Sequence, residues 1–147
     1  MNNLKPLAIV AGARTPFTKA FTKLSDVSAV ELGRVAVTDT LRRIGCNASD
    51  VDEVIMGNVS GPPDAANIAR VIALRADIPI DRIAHTVNRN CASGMESILG
   101  GWQAINESRA ALVLAGGTES MSQIPLLFSQ ESTALWLQLS RAKTIAQ

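Results

Sequence analysis

The sequence runs to 147 residues, with 47% hydrophobic and 18% charged residues and a formal net charge of +1. That length holds one folded domain with a core of its own, and the composition excludes a disordered chain. With a near-neutral balance, no basic run, 3% aromatic residues and no tyrosine, nucleic acid is not an expected partner.

Residues 7–10 form a short apolar run closed by Ala11-Gly12-Ala13-Arg14-Thr15-Pro16, the pattern of a strand buried on both faces. The polar stretch 17–26 reads as a loop. A helix follows, capped by Ser28 or Asp26, with Val30, Leu32, Val35, Ala36 and Leu41 as its apolar set. Arg42 and Arg43 suit its last turn, and Gly45 closes it. Cys46 falls in the next turn, a bystander. Residues 54–59 are a second buried-strand run, broken by Gly61-Pro62-Pro63-Asp64. Residues 67–76 read as a helix carrying Ile68, Val71, Ile72 and Leu74, stopped by Asp77-Ile78-Pro79.

A third strand spans 83–88. Met95, Ile98, Leu99, Trp102 and Ile105 then recur at helical spacing, so a helix runs from near Cys91 to Ile105. Residues 110–115 make a fourth apolar strand ending in Gly116-Gly117-Thr118-Glu119-Ser120-Met121. Residues 122–129 read as a loop and 130–147 as a helix without a stop signal, as in the front part of a longer chain. Trp102 and Trp136 are expected in a core or interface, and Gly100-Gly101 implies a closely packed neighbouring helix.

The order βαβαβαβ implies an α/β fold with a mostly parallel sheet and helices on both faces. Ligands of such sheets bind at the carboxyl ends of the strands, where Cys91 and the Gly116-Gly117 turn both fall. Cys91 lies where a strand turns into a helix, and the positive end of a helix favours a thiolate. Gly94 lets backbone or substrate approach closely. On position alone a nucleophile and a buried structural cysteine are equally good readings. The two cysteines and the single histidine, His85, match neither a disulfide framework nor a metal-ligand spacing, so no metal is expected. His85 stands six residues before Cys91. That is about 20 Å along an extended strand, too far for a general base in the same chain. No stretch has signal-peptide or membrane-span character, so we expect no membrane partner and a reducing, cytoplasmic setting.

The phrases Val-Ala-Gly-Ala-Arg-Thr-Pro-Phe at 10–17, Asp-Val-Asp-Glu-Val-Ile-Met-Gly-Asn-Val at 50–59 and Asn-Ile-Ala-Arg at 67–70 follow one another in order. Val-Asn-Arg-Asn-Cys-Ala-Ser-Gly-Met at 87–95 and Ala-Gly-Gly-Thr-Glu-Ser-Met-Ser at 115–122 complete the set. Together they resemble the N-terminal portion of the thiolases, enzymes that make or cleave 3-ketoacyl-CoA. The resemblance implies one half of a two-domain αβαβα sandwich, with residues 1–121 as the nucleophile-bearing domain and 122–147 as the truncated start of a loop domain. It implies a transferase of fatty acid metabolism, an acetyl-CoA acyltransferase or acetyltransferase. Cys91 would be the acylated nucleophile and its backbone N–H a candidate oxyanion donor. Met95, Glu119 and Met121 would line the site. Coenzyme A thioesters are then substrates, with no tightly bound cofactor, and the enzyme is a homodimer or a dimer of dimers. The family's Asn-Glu-Ala, Gly-His-Pro and Cys-x-Gly-Gly-Gly motifs, which carry its acid/base groups, do not occur in these residues. A complementary C-terminal half is therefore an expected partner. A ketosynthase-like condensing enzyme and a non-catalytic acyl-CoA-binding or assembly module are the alternatives. Asp77 replaces the usual glycine before Ile-Pro, read as a tolerated turn change.

Overall fold

A computed structural model describes residues 6–142. Helix α1 (Ala29–Ile44) starts where Ser28 Oγ accepts the Glu31 N–H at 3.2 Å. It stops at Gly45, whose φ of 61° lets the Cys46 N–H reach back to the Leu41 carbonyl at 3.1 Å. Strand β1 (Glu53–Gly57), helix α2 (Ile68–Arg75) and strand β2 (Ile83–Val87) follow. Helix α3 (Ser93–Asn106), strand β3 (Val113–Gly117) and helix α4 (Gln130–Arg141) complete the order. Asn67 caps α2, its side-chain oxygen accepting the Arg70 N–H at 3.3 Å. Asp77, just past its end, has a φ of 60°, the left-handed conformation that glycine adopts more cheaply.

The strands form one parallel sheet in the order β2-β1-β3. Residues 53–57 are buried on both sides, which is why the central strand reads as a continuous apolar run. Val54 and Met56 join Ala84 in a core with Val30, Val37 and Leu41 of α1 and Ile68 and Ile72 of α2. On the opposite face α3 comes so close that a Cβ on Gly100 would stand 3.2 Å from Ile55 Cδ1. A Cβ on Gly101 would stand 3.1 Å from Val113 Cγ1. The glycine pair thus serves helix-on-sheet packing within the described residues. Helices on both faces are as expected.

One expected strand is missing. Residues 7–10 join no strand ladder, and Ile9 and Val10 are 78% and 65% exposed. They face β3 across a cavity of about 530 Å³, walled by Val37 and Leu41 from α1 and by Ile98 and Ile105 from α3. An apolar run becomes a strand only beside a ladder partner, and none of the described residues fills that gap. The fourth apolar run pairs two to three residues later than expected, as Val113–Gly117. Helix α4 buries none of its residues, and Trp136 lies exposed with its ring edge-on to Phe128 at 6.5 Å. Trp136 is therefore no part of this core. Residues 143–147 lie outside the described residues.

At the amino edge of the sheet Glu53 is fully buried, with Oε1 3.1 Å from Arg109 Nη1 and 3.5 Å from His85 Nδ1. This contact accounts for His85. Beside it, Asp52 Oδ2 accepts the N–H groups of Ala111 and Leu112 at 2.8 and 3.0 Å. The Leu112 and Ala111 amides, aided by Arg82, hold the Asp52 carboxyl below the usual carboxylate range. Its contribution to stability is therefore complete above about pH 4 and fades as the pH falls through the folded value. Replacing Asp52 by Asn is expected to cost about 1 kcal/mol near neutrality, after allowance for its partial exposure. In urea titrations the gap between wild type and variant should close under acid conditions; a gap independent of pH contradicts this role.

Candidate functional site

The register pairs Gly57 with Val87 on one side and with Gly117 on the other, so the three strands end level. Their continuations, residues 58–60, 88–92 and 118–121, make three neighbouring turns along the carboxyl edge. The 58–60 turn lies between the other two, since β1 is the central strand. Adjacent strands stand about 4.8 Å apart, so the outer turns are separated by roughly 10 Å.

The turn carrying Cys91 is closed by its own side chains. Asn90 has a φ of 50°, a left-handed conformation that asparagine tolerates. Asn88 Oδ1 accepts the Asn90 N–H at 3.0 Å, and Ser93 Oγ accepts the Arg89 N–H at 2.8 Å. The Ser93 hydroxyl in turn donates to the Asn90 carbonyl at 2.7 Å. Arg89 Nη1 reaches across to Glu96 at 2.7 Å. Cys91 is exposed and directly precedes Ala92, the capping residue of α3, which offers no side-chain hydrogen bond to the helix amides. The sulfur therefore sits by the positive end of a helix, on the solvent side of the edge. The expected corner between strand and helix is present, and Cys91 is not buried.

The backbone of α3 rests directly on the end of β1. A Cβ on Gly57 would lie 2.5 Å from Ser93 C and 2.8 Å from Gly94 N. Only glycine permits that approach. Met95, in the first turn of α3, is 60% exposed, and Met121, beyond β3, is 59% exposed. Glu119 belongs to the outer turn after β3, and its carboxylate points at the central turn. Its Oε2 accepts the N–H groups of Val59 and Ser60 at 2.9 and 3.3 Å. Its Oε1 accepts from Asn58 Nδ2 at 3.1 Å and from the Ser60 hydroxyl.

Asn58, which lies in the 50–59 phrase, and Ser60 join the site without having been singled out by the sequence pattern. Asn58, 5% exposed, also donates to the Thr118 carbonyl at 2.8 Å, and its Oδ1 accepts the Gly61 N–H at 2.9 Å. The signal was the Asn-x-x-Gly spacing, in which an asparagine side chain closes a turn. Among the described residues no group of three or more His, Cys, Asp or Glu side chains is arranged to hold a metal. No helix among them is long and apolar enough to cross a membrane.

The family description "Thiolase, N-terminal domain" matches residues 7–144. The chain is 45% identical over 125 residues to the cytosolic acetyl-CoA acetyltransferase of Gibberella zeae, covering 85% of this chain and 32% of that protein. It is 34% identical over 141 residues to the 3-ketoacyl-CoA thiolase of Pseudoalteromonas translucida, covering 96% of this chain and 32% of that one. The Bacillus anthracis acetyl-CoA acetyltransferase superposes with a TM-score of 0.83 at 34% identity, over 89% of this chain and 33% of its own. An Ascaris suum thiolase in complex with coenzyme A superposes with a TM-score of 0.79 at 35% identity, over 82% and 31%. The chain thus spans about a third of the length of these relatives.

Proposed function

Because the chain belongs to the thiolase family, we propose that it supplies the nucleophile, Cys91, for acyl transfer between coenzyme A thiols. The observation that carries this reading is the exposed sulfur at the carboxyl edge of a parallel sheet, one residue before the cap of α3. In the cleavage direction the Cys91 thiolate adds to the 3-keto carbon of a 3-ketoacyl-CoA. The C2–C3 bond then breaks, its electron pair takes a proton, and acetyl-CoA departs. The acyl group stays on Cys91 as a thioester until the thiolate of a second coenzyme A displaces it. Sulfur suits both steps, as attacker and as leaving group. The Cys91 N–H is a candidate donor to the developing oxyanion. Met95 and Met121, both exposed at this edge, are candidates to line the path of the acyl chain.

The acid/base groups come, on this reading, from a complementary C-terminal portion. Among the described residues the outer edge of β3 is unpaired, and this edge and the 530 Å³ cavity beside it support such a partner. An extended apolar segment seated there would pair with β3 and with residues 7–10 at once. Residues 122–147 are then the opening of the loop domain. The edge of β2, unpaired among the described residues and with Ile83 47% exposed, supports a homodimer or a dimer of dimers. We place the protein in the cytoplasm, like its cytosolic relative, with coenzyme A thioesters as substrates and no tightly held cofactor.

The test has two arms. Iodoacetamide is expected to modify Cys91 faster than the half-buried Cys46, whose Sγ lies 3.4 Å from the Asn47 carbonyl. Equal or reversed rates contradict an accessible, activated sulfur. The 147 residues alone should not thiolyse acetoacetyl-CoA, whereas adding the C-terminal portion of a homologous thiolase should restore turnover. Robust turnover without that addition contradicts the division of labour.

A further inference from the structure

The Glu119 carboxylate accepts hydrogen bonds from four donors, all in residues 58–60. Its two oxygens are thereby engaged from the side chains of Asn58 and Ser60 and from two backbone N–H groups. The segment it holds is the one that supports the Cys91 turn. The Asn58 N–H donates to the Val87 carbonyl at 3.1 Å, at the end of β2. The Val59 carbonyl accepts from Asn88 Nδ2 at 3.5 Å. Asn88 Oδ1 in turn holds the Asn90 N–H at 3.0 Å, and Asn90 is the left-handed residue immediately before Cys91.

The geometry points to Glu119 as a positioning residue for Cys91, acting through residues 58–60 and the side chain of Asn88. The inference rests on the reading of Cys91 as the nucleophile. Glu119 fixes the central turn from one outer turn, and the central turn fixes the other outer turn, the one that presents the sulfur. A neutral amide at position 119 sets an NH2 group against donors and releases part of the central turn. An aspartate keeps the acceptors on a shorter arm.

The experiment compares Glu119→Gln, Glu119→Asp and Asn88→Ala with wild type. Two quantities are read, the pH profile of iodoacetamide alkylation at Cys91 and the thiolysis constants of the complemented enzyme. Glu119→Gln and Asn88→Ala are expected to displace the Cys91 profile while leaving that of Cys46 in place. They should also lower kcat by about tenfold or more with little change in KM, as a misplaced nucleophile does. Glu119→Asp should recover part of both. Should Glu119→Gln not fold, Asn88→Ala cuts only the last link and carries the test. A Cys91 profile in either variant that superimposes on wild type overturns the relay. A wild-type complemented enzyme without turnover would count against the nucleophile reading alone, since the alkylation profiles still decide on Glu119.

Discussion

Cys91→Ala is expected to abolish thiolysis by the complemented enzyme, lowering kcat by about 10⁴-fold or more. Removing a nucleophile leaves no second route through a covalent acyl intermediate, so the loss should appear in kcat and not as weaker substrate binding. Stability offers no competing explanation. Cys91 is exposed, and truncating an exposed side chain outside a cap or core changes stability by about 0.5 kcal/mol or less. The melting temperature should therefore stay where it is while activity vanishes. Cys46→Ala is the control, since Cys46 sits in the turn after α1, at the other end of the chain's architecture, and should retain turnover. A Cys91→Ala enzyme that still turns over would place the acyl group on another atom.

The second large effect is expected at Gly57. An alanine methyl there would meet the Ser93 carbonyl carbon at 2.5 Å, the Ser93 oxygen at 2.7 Å and the Gly94 nitrogen at 2.8 Å. All three are backbone atoms of the first turn of α3, so no side-chain rotation relieves the clash. Either α3 shifts away from the sheet or β1 distorts, and overpacking of this kind costs about 1–3 kcal/mol. Because the same turn of α3 follows Cys91, the variant should also alter the Cys91 alkylation rate. Gly12 has nothing within 4 Å of its added Cβ, so Gly12→Ala should be close to neutral. Equal melting temperatures for Gly57→Ala and Gly12→Ala would contradict the packing.

Much of this architecture was legible because local signals agreed with the tertiary fold. Ser28 and Gly45 bracket α1, and the apolar run at residues 54–59 announces a buried strand, observed as Glu53–Gly57. The corner at Cys91 followed from a β-branched run leading into a helical period. What local sequence could not supply was the outcome of competition for partners. Residues 7–10 have strand composition but stay unpaired, because a strand exists only through its neighbour. The glycines at 100 and 101 announce a close approach, read from the sequence as one to a helix, and within this chain the surface approached is the sheet. Glu119 was legible as a residue of a strand-end turn and, through the family resemblance, as one lining the site. That its carboxylate serves the turn of another strand, 59 to 61 residues away, depends on the strand order β2-β1-β3.

The most direct measurement is peptide mapping after incubation with a short acyl-CoA, with the complementary portion of a thiolase supplied. An acyl thioester on the peptide that contains Cys91, and none on that of Cys46, is the expected result. No label at position 91, under conditions in which a full-length relative becomes acylated, would contradict the assignment.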